Sequence, residues 1–204
     1  MEKNIQQLPG YRVKEYKLVL VPHQELTRHI LEVRKSFNDK FSVESPTSSL
    51  PQVLLASFRQ IQAAEERIVN RLKLIAMASH AFKVELKDFG SFPSHTIFIN
   101  VTSKIPVGDL VKKIKTDTQR LMKLDTENKP YFPTDSHITI AVKLKPWQYE
   151  KAWLEYQKKH FTGRFIADHM ILLGRKSGEL KYDVINSFQF ENLPVEVKQG
   201  DLFS

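Results

Sequence analysis

Cysteine is absent from the 204 residues. That excludes a disulfide framework, a thiolate metal site and a nucleophilic cysteine. Glycine is scarce, with seven in all, and none falls in a phosphate-cradling loop, a dinucleotide fingerprint or a Gly-x-Ser-x-Gly elbow; a zinc-protease helix is missing too. No apolar run approaches the ~18 residues that a membrane span needs, and Met1 to Gly10 is polar rather than a charged-then-apolar leader. A cytoplasmic protein with no membrane partner is therefore expected. Whatever chemistry the chain performs must come from side chains other than cysteine.

Hydrophobic residues make up 41% of the chain, enough to bury a core within one domain spanning 1–204. Thirty-one Lys and Arg against 23 Asp and Glu leave a net charge of +8. Such an excess suits a polyanionic partner, RNA or a nucleotide, and equally suits a merely solvated basic surface.

Hydrophobic periodicity orders the elements. An apolar run at 16–21, ended by Pro22, predicts a strand, and Leu26, Ile30, Val33 and Phe37 recur at helical spacing after it. A loop rich in Ser, Thr and Pro between 41 and 51 leads to a second strand at 53–58, followed by an amphipathic helix over 63–80. Phe82, Val84 and Leu86 alternate with charged residues, and Gly90 to Ser94 is expected to turn the chain into a strand at 96–101. Pro106 is expected to open a helix with a basic outer face. A strand at 137–144, a helix from Pro146 to about 159, and strands near 164–166, 170–173 and 181–190 complete the order. The tail after Glu191 is expected to be loop. Strands and helices in this order predict an α+β fold of two similar lobes, approximately 11–103 and 104–191, with antiparallel sheets, helices on their outer faces and a central cleft.

The segment Ser136-His137-Ile138-Thr139-Ile140-Ala141-Val142-Lys143-Leu144 carries the chemistry. Strand alternation puts Ile138, Ile140, Val142 and Leu144 on one face and His137, Thr139 and Lys143 on the other. An imidazole and a hydroxyl two residues apart can touch one phosphate, the first moving a proton and the second donating a hydrogen bond. Lys143 would add positive charge there. Any solvated strand can show the same pattern, so context has to decide.

That context is a resemblance. The stretch 133–144, with 84–93 (Val-Glu-Leu-Lys-Asp-Phe-Gly-Ser-Phe-Pro) and 145–153 (Lys-Pro-Trp-Gln-Tyr-Glu-Lys-Ala-Trp), resembles the two-histidine phosphoesterases, the superfamily of 2′-5′ RNA ligases and cyclic phosphodiesterases. The resemblance extends over nearly the whole chain. It implies two His-x-Thr or His-x-Ser strands, one per lobe, whose histidines face each other across the cleft as acid and base. His137-Ile138-Thr139 is similar to the second motif. Where the first is expected, the chain reads Pro51-Gln52-Val53-Leu54, so Gln52 and Leu54 stand in place of His and Thr. An amide can hydrogen-bond a phosphate but has no pKa near neutrality and cannot shuttle a proton. His95, in Ser94-His95-Thr96, has the wrong spacing and reads better as a surface histidine at a strand end.

The resemblance implies His137 as acid or base and Thr139 as phosphate ligand; the other histidines lack partners at metal-like spacing, so no metal site and no cofactor are expected. Gln52, Lys143, Tyr131 and Arg164 are the candidate substrate-binding residues, Tyr131 by stacking on a base and Arg164 by bidentate phosphate contact. Arg175 and Lys176 are further basic residues near the late strands. Trp147, Tyr149, Trp153 and Tyr156 are expected to cover the sheet. Three functions stay open: a phosphoesterase or RNA-ligase-like enzyme acting on 2′-5′ or 2′,3′-cyclic phosphate linkages, a module that binds a nucleotide or RNA end without turnover, and an interaction domain with no nucleic-acid role.

Overall fold

The computed structural model describes residues 10–43 and 50–193. Most of the expected loop between 41 and 51 and most of the tail after Glu191 lie outside the described residues. The chain runs β1 (Val13–Leu20), α1 (Gln24–Phe41), β2 (Val53–Ile61), α2 (Glu65–Met77), β3 (Phe82–Phe92), β4 (Thr96–Val101), α3 (Lys104–Met122), β5 (His137–Ala141), α4 (Pro146–Tyr156), β6 (Thr162–Ala167), β7 (His169–Lys176) and β8 (Asp183–Gln189). The eight strands form two antiparallel four-stranded sheets, ordered β2-β1-β7-β8 and β5-β4-β3-β6. The architecture is α+β, as the element order requires.

The sheets do not follow the expected lobe boundary near 103. The first sheet joins β1 and β2 to β7 and β8 from the other end of the chain, whereas the second is built from β3 to β6. Antiparallel pairing of β1 with β7, Lys14 opposite Lys176 through Val19 opposite Ile171, closes this long loop. The helices are exchanged as well. Although α1 lies between two strands of the first sheet, it packs on β5 and β6 of the second; α3, between β4 and β5, packs on β2 of the first. Meanwhile α2 rests on β8 and α4 on β4. Each sheet thus owes part of its cover to a helix connecting strands of the other.

Local sequence explains the element ends. The His23 imidazole caps α1 by accepting from the Leu26 amide at 3.4 Å, and Ser42 closes the helix in the left-handed conformation. Pro146 occupies the first turn of α4, where its missing N–H costs nothing. In α3 the helix begins at Lys104, two residues before Pro106. Gly90 belongs to β3 rather than to a turn; Pro93, Ser94 and His95 make the turn to β4. No helix among the described residues is long and apolar enough to cross a membrane. Of the four expected sheet-covering aromatics, Tyr156 is buried and Tyr149 and Trp153 pack on the core, but Trp147 faces solvent.

Candidate functional site

The edge strands next to the two motif positions, β2 of the first sheet, which Gln52 precedes, and β5 of the second, contact each other. Between them the loop ahead of β5 clamps onto β2. The Ser57 amide donates to the Tyr131 carbonyl at 2.9 Å and the Tyr131 amide to the Ser57 carbonyl at 2.8 Å. This short bridge covers the β2 edge that would otherwise stay unpaired.

β5 forms because Ile138 and Ile140 alternate into the core while His137 and Thr139 look outward, half-buried. Those two residues line a cavity of about 270 Å³ together with Gln52, Leu54, Lys17, Arg34, Tyr131 and Asp135. Gln52 and Leu54 enter from the start of β2 as His137 and Thr139 enter from β5. The two sequence segments compared above therefore share one cleft, one with an imidazole and the other with an amide and a leucine.

His137 is held on three sides. Its Nδ1 lies 3.0 Å from the Asp135 carbonyl, which can only accept, so Nδ1 is the donor of this contact and Nε2 is left to face the cavity. Phe98 packs on the ring at 4.6 Å between centroids, and Phe92 meets it edge-on at 5.2 Å. Phe98 itself fits because Gly90 on the neighbouring strand has no side chain: a Cβ there would come within 2.5 Å of Phe98 Cε2 and 2.7 Å of Asn100 Oδ1. Gly90→Ala is expected to cost about 1–3 kcal/mol through overpacking and to tilt the His137 ring with Phe98. Thermal unfolding and the imidazole resonances of His137 check the two effects.

Two cations in the cleft escaped sequence reading. Arg34, on α1 and buried, donates from Nε at 2.9 Å and from Nη2 at 2.7 Å to the Thr139 carbonyl, tying the motif strand to the exchanged helix. Burial pulls its guanidinium down to about 10, which leaves it charged at neutral pH. The signal was present. Leu26, Ile30, Phe37 and Phe41 are the other buried positions of α1, and a step of four from Ile30 puts Arg34 in the same stripe. Lys17, half-buried on β1, places its ammonium 4.7 Å from the Tyr182 ring centre. Burial and then the nearby Arg175 lower its pKa, against an opposing pull from Glu15. In sequence it sits within the apolar run 16–21.

The remaining expectations divide. Tyr131 lines the cavity and stays 57% exposed at its mouth, also lining a second cavity of about 310 Å³ that shares Lys17. Lys143 does not reach the cleft. β5 ends at Ala141, Lys143 adopts φ 56 and faces solvent, and Val142, expected in the core, lines the cavity instead. The cause is Leu144, whose amide bonds to the His95 carbonyl at 3.1 Å as its side chain enters the core, turning the intervening residues over. Arg164 lies on β6, the far edge of the second sheet, opposite Glu85. Three strand spacings put it roughly 14 Å from β5. His95 sits in the β3–β4 turn with its Nδ1 3.0 Å from the Pro93 carbonyl, away from the cavity lining.

The fold has known counterparts. Escherichia coli LigT, solved with 3′-AMP, superposes with a TM-score of 0.57 at 14% identity, over 88% of this chain and 98% of that one. The Thermus thermophilus protein TT0787 gives a TM-score of 0.60 at 13% identity, over 87% of this chain and 98% of its own. Among curated protein sequences none matches. The family model described as the 2′-5′ RNA ligase superfamily matches residues 23–179, a span containing α1, both motif positions and the β3–β4 hairpin. The chain belongs to the 2′-5′ RNA ligase superfamily.

Proposed function

We propose that the cleft between β2 and β5 binds a ribonucleotide phosphate ester, a 2′,3′-cyclic or 2′-5′-linked end, with Thr139 and His137 on the phosphate and Tyr131 against the base. The observation that carries this reading is the convergence of His137, Thr139 and Gln52 with two cations, Lys17 and Arg34, on one cavity of about 270 Å³. A phosphate monoanion there would meet donors from both strands and positive charge from β1 and α1. Structures of LigT with 3′-AMP and with ATP support a nucleotide as ligand, and a net charge of +8 favours anionic partners.

Gln52 in place of an imidazole favours a second reading, retention of the nucleotide without turnover, because hydrolysis of a phosphodiester needs one group to activate water and another to protonate the departing oxygen. Binding is common to both readings and is tested directly by calorimetry with 2′,3′-cyclic nucleotides and with a short RNA ending in one. The expected result is an affinity that falls as salt rises and that drops about ten- to a hundredfold in Thr139→Val, which removes a hydrogen bond to a charged group. No heat with any of these ligands would leave the interaction-domain alternative standing.

A further inference from the structure

We infer that Lys17 is the second proton carrier of this cleft, giving its proton to the ribose oxygen that departs while His137 activates water. The inference rests on the phosphate-ester reading above and adds catalysis to it. It starts from what lines the cavity. Among the described residues, the titratable side chains there apart from His137 are Lys17, Arg34, Tyr131 and Asp135. Arg34 does not give up a proton at any useful rate near neutrality and is already bonded to the Thr139 carbonyl. The Asp135 carboxylate is exposed at the rim and lies beside Lys104, at 3.8 Å, rather than across the cavity from His137. Tyr131 stands at the mouth, more than half exposed. Lys17 remains: half-buried, on the strand next to β2, facing a cavity whose other wall carries the imidazole.

Its surroundings suit an acid. From β7 the Arg175 guanidinium faces the same tyrosine ring that Lys17 covers, 4.5 Å and 4.7 Å from its centre, so two cations bracket Tyr182. Glu15, on the same strand as Lys17, is engaged by Arg175 Nη2 at 2.6 Å and by Arg59 at 3.4 Å, which spends much of its charge elsewhere. Toward the cavity stand Arg34 and His137, with Asp135 at the rim; toward the adjoining hollow stand Arg59, Lys129 and Glu127. Crowding by cations and loss of water both disfavour the ammonium and make it a readier donor.

The two groups can then divide the task between them. His137, with its Nδ1 proton directed at the Asp135 carbonyl, offers Nε2 as a base. Water attacks the phosphorus of a 2′,3′-cyclic phosphate and its proton passes to Nε2 as the new P–O bond forms. One P–O bond to the ribose breaks, and the freed oxygen takes the proton of the Lys17 ammonium. The products are a phosphate monoester and a free hydroxyl; exchange with solvent returns one proton to Lys17 and removes one from His137.

Lys17→Arg separates charge from proton transfer, because arginine keeps the first and cannot supply the second. With 2′,3′-cyclic AMP, Lys17→Arg and Lys17→Met are expected to lose about 10²–10⁴-fold in kcat, while calorimetry shows Lys17→Arg binding the nucleotide within a few fold of wild type. With a p-nitrophenyl phosphodiester, whose leaving group needs no proton, the Lys17→Arg deficit is expected to shrink to within about tenfold. The alkaline limb of the wild-type pH–rate profile should disappear in Lys17→Arg. Full activity of Lys17→Arg, an undiminished deficit on the p-nitrophenyl ester, or a wild type that binds but does not turn over would each overturn the role of Lys17 and leave the binding reading intact. A wild type that binds nothing would overturn both.

Discussion

His137→Ala is expected to slow hydrolysis of a 2′,3′-cyclic nucleotide by about 10²–10⁴-fold, the usual worth of a positioned general base, with a far smaller loss of affinity. The reason is that the imidazole contributes its proton affinity where water must be activated, whereas Thr139 and Arg34 hold charge in place. Steady-state kinetics with calorimetry in parallel would separate the two effects. Turnover that survived the substitution would remove β5 as the seat of the chemistry. The companion variant Gln52→His returns an imidazole to the start of β2, in the cavity that already contains His137. In the Lys17→Arg background it should restore much of the lost rate, since the departing oxygen then has a titrating donor again.

Phe37→Ala is expected to have the largest effect on stability. Phe37 is fully buried on α1, its ring centre 4.9 Å from that of Phe41 and 5.0 Å from that of Tyr156 on α4. Truncating a buried phenylalanine costs about 3–5 kcal/mol, which for a chain of this size lowers Tm by about 6–20 °C. The function should suffer sooner than the fold. One turn before Phe37, Arg34 grips the Thr139 carbonyl, so a loosened α1 also releases the motif strand. Calorimetric unfolding measures the first effect, and the affinity for a cyclic nucleotide the second; a Tm within about 2 °C of wild type would mean that α1 is anchored elsewhere.

Element order and most strand positions were legible because each strand carries its own period of two and each helix its own apolar stripe. His137 and Thr139 were legible for the same reason, as alternation holds through Ile140. Beyond that residue it misled. Lys143 turns away since Leu144 is captured by the His95 carbonyl and the core, a tertiary contact with no mark in the local pattern. Arg164 was legible as a basic residue beside a late strand with bidentate phosphate chemistry, and only the strand order shows it at the far edge. The lobe boundary failed because periodicity says that β1 is a strand but not that its partner is β7, about 150 residues away. Lys17 and Arg34 were hidden by their neighbours: each is a lone cation in an apolar stripe, and only burial against the cleft gives it meaning.

The interleaved sheets also set an order on assembly. Synthesis proceeds from the N-terminus, so β1 and β2 emerge well before β7, and until then they form a two-stranded pair of marginal stability with one open edge. The second sheet needs only residues 82–167 and can pair its strands first. A chain stopped short of β7 would keep the buried side of β1, with Leu18 and Leu20, beside an unpaired backbone edge, an invitation to pair with another copy. Loss of the segment from β7 onward would therefore do more than trim the protein: it would leave a sticky nascent chain where a cleft should be.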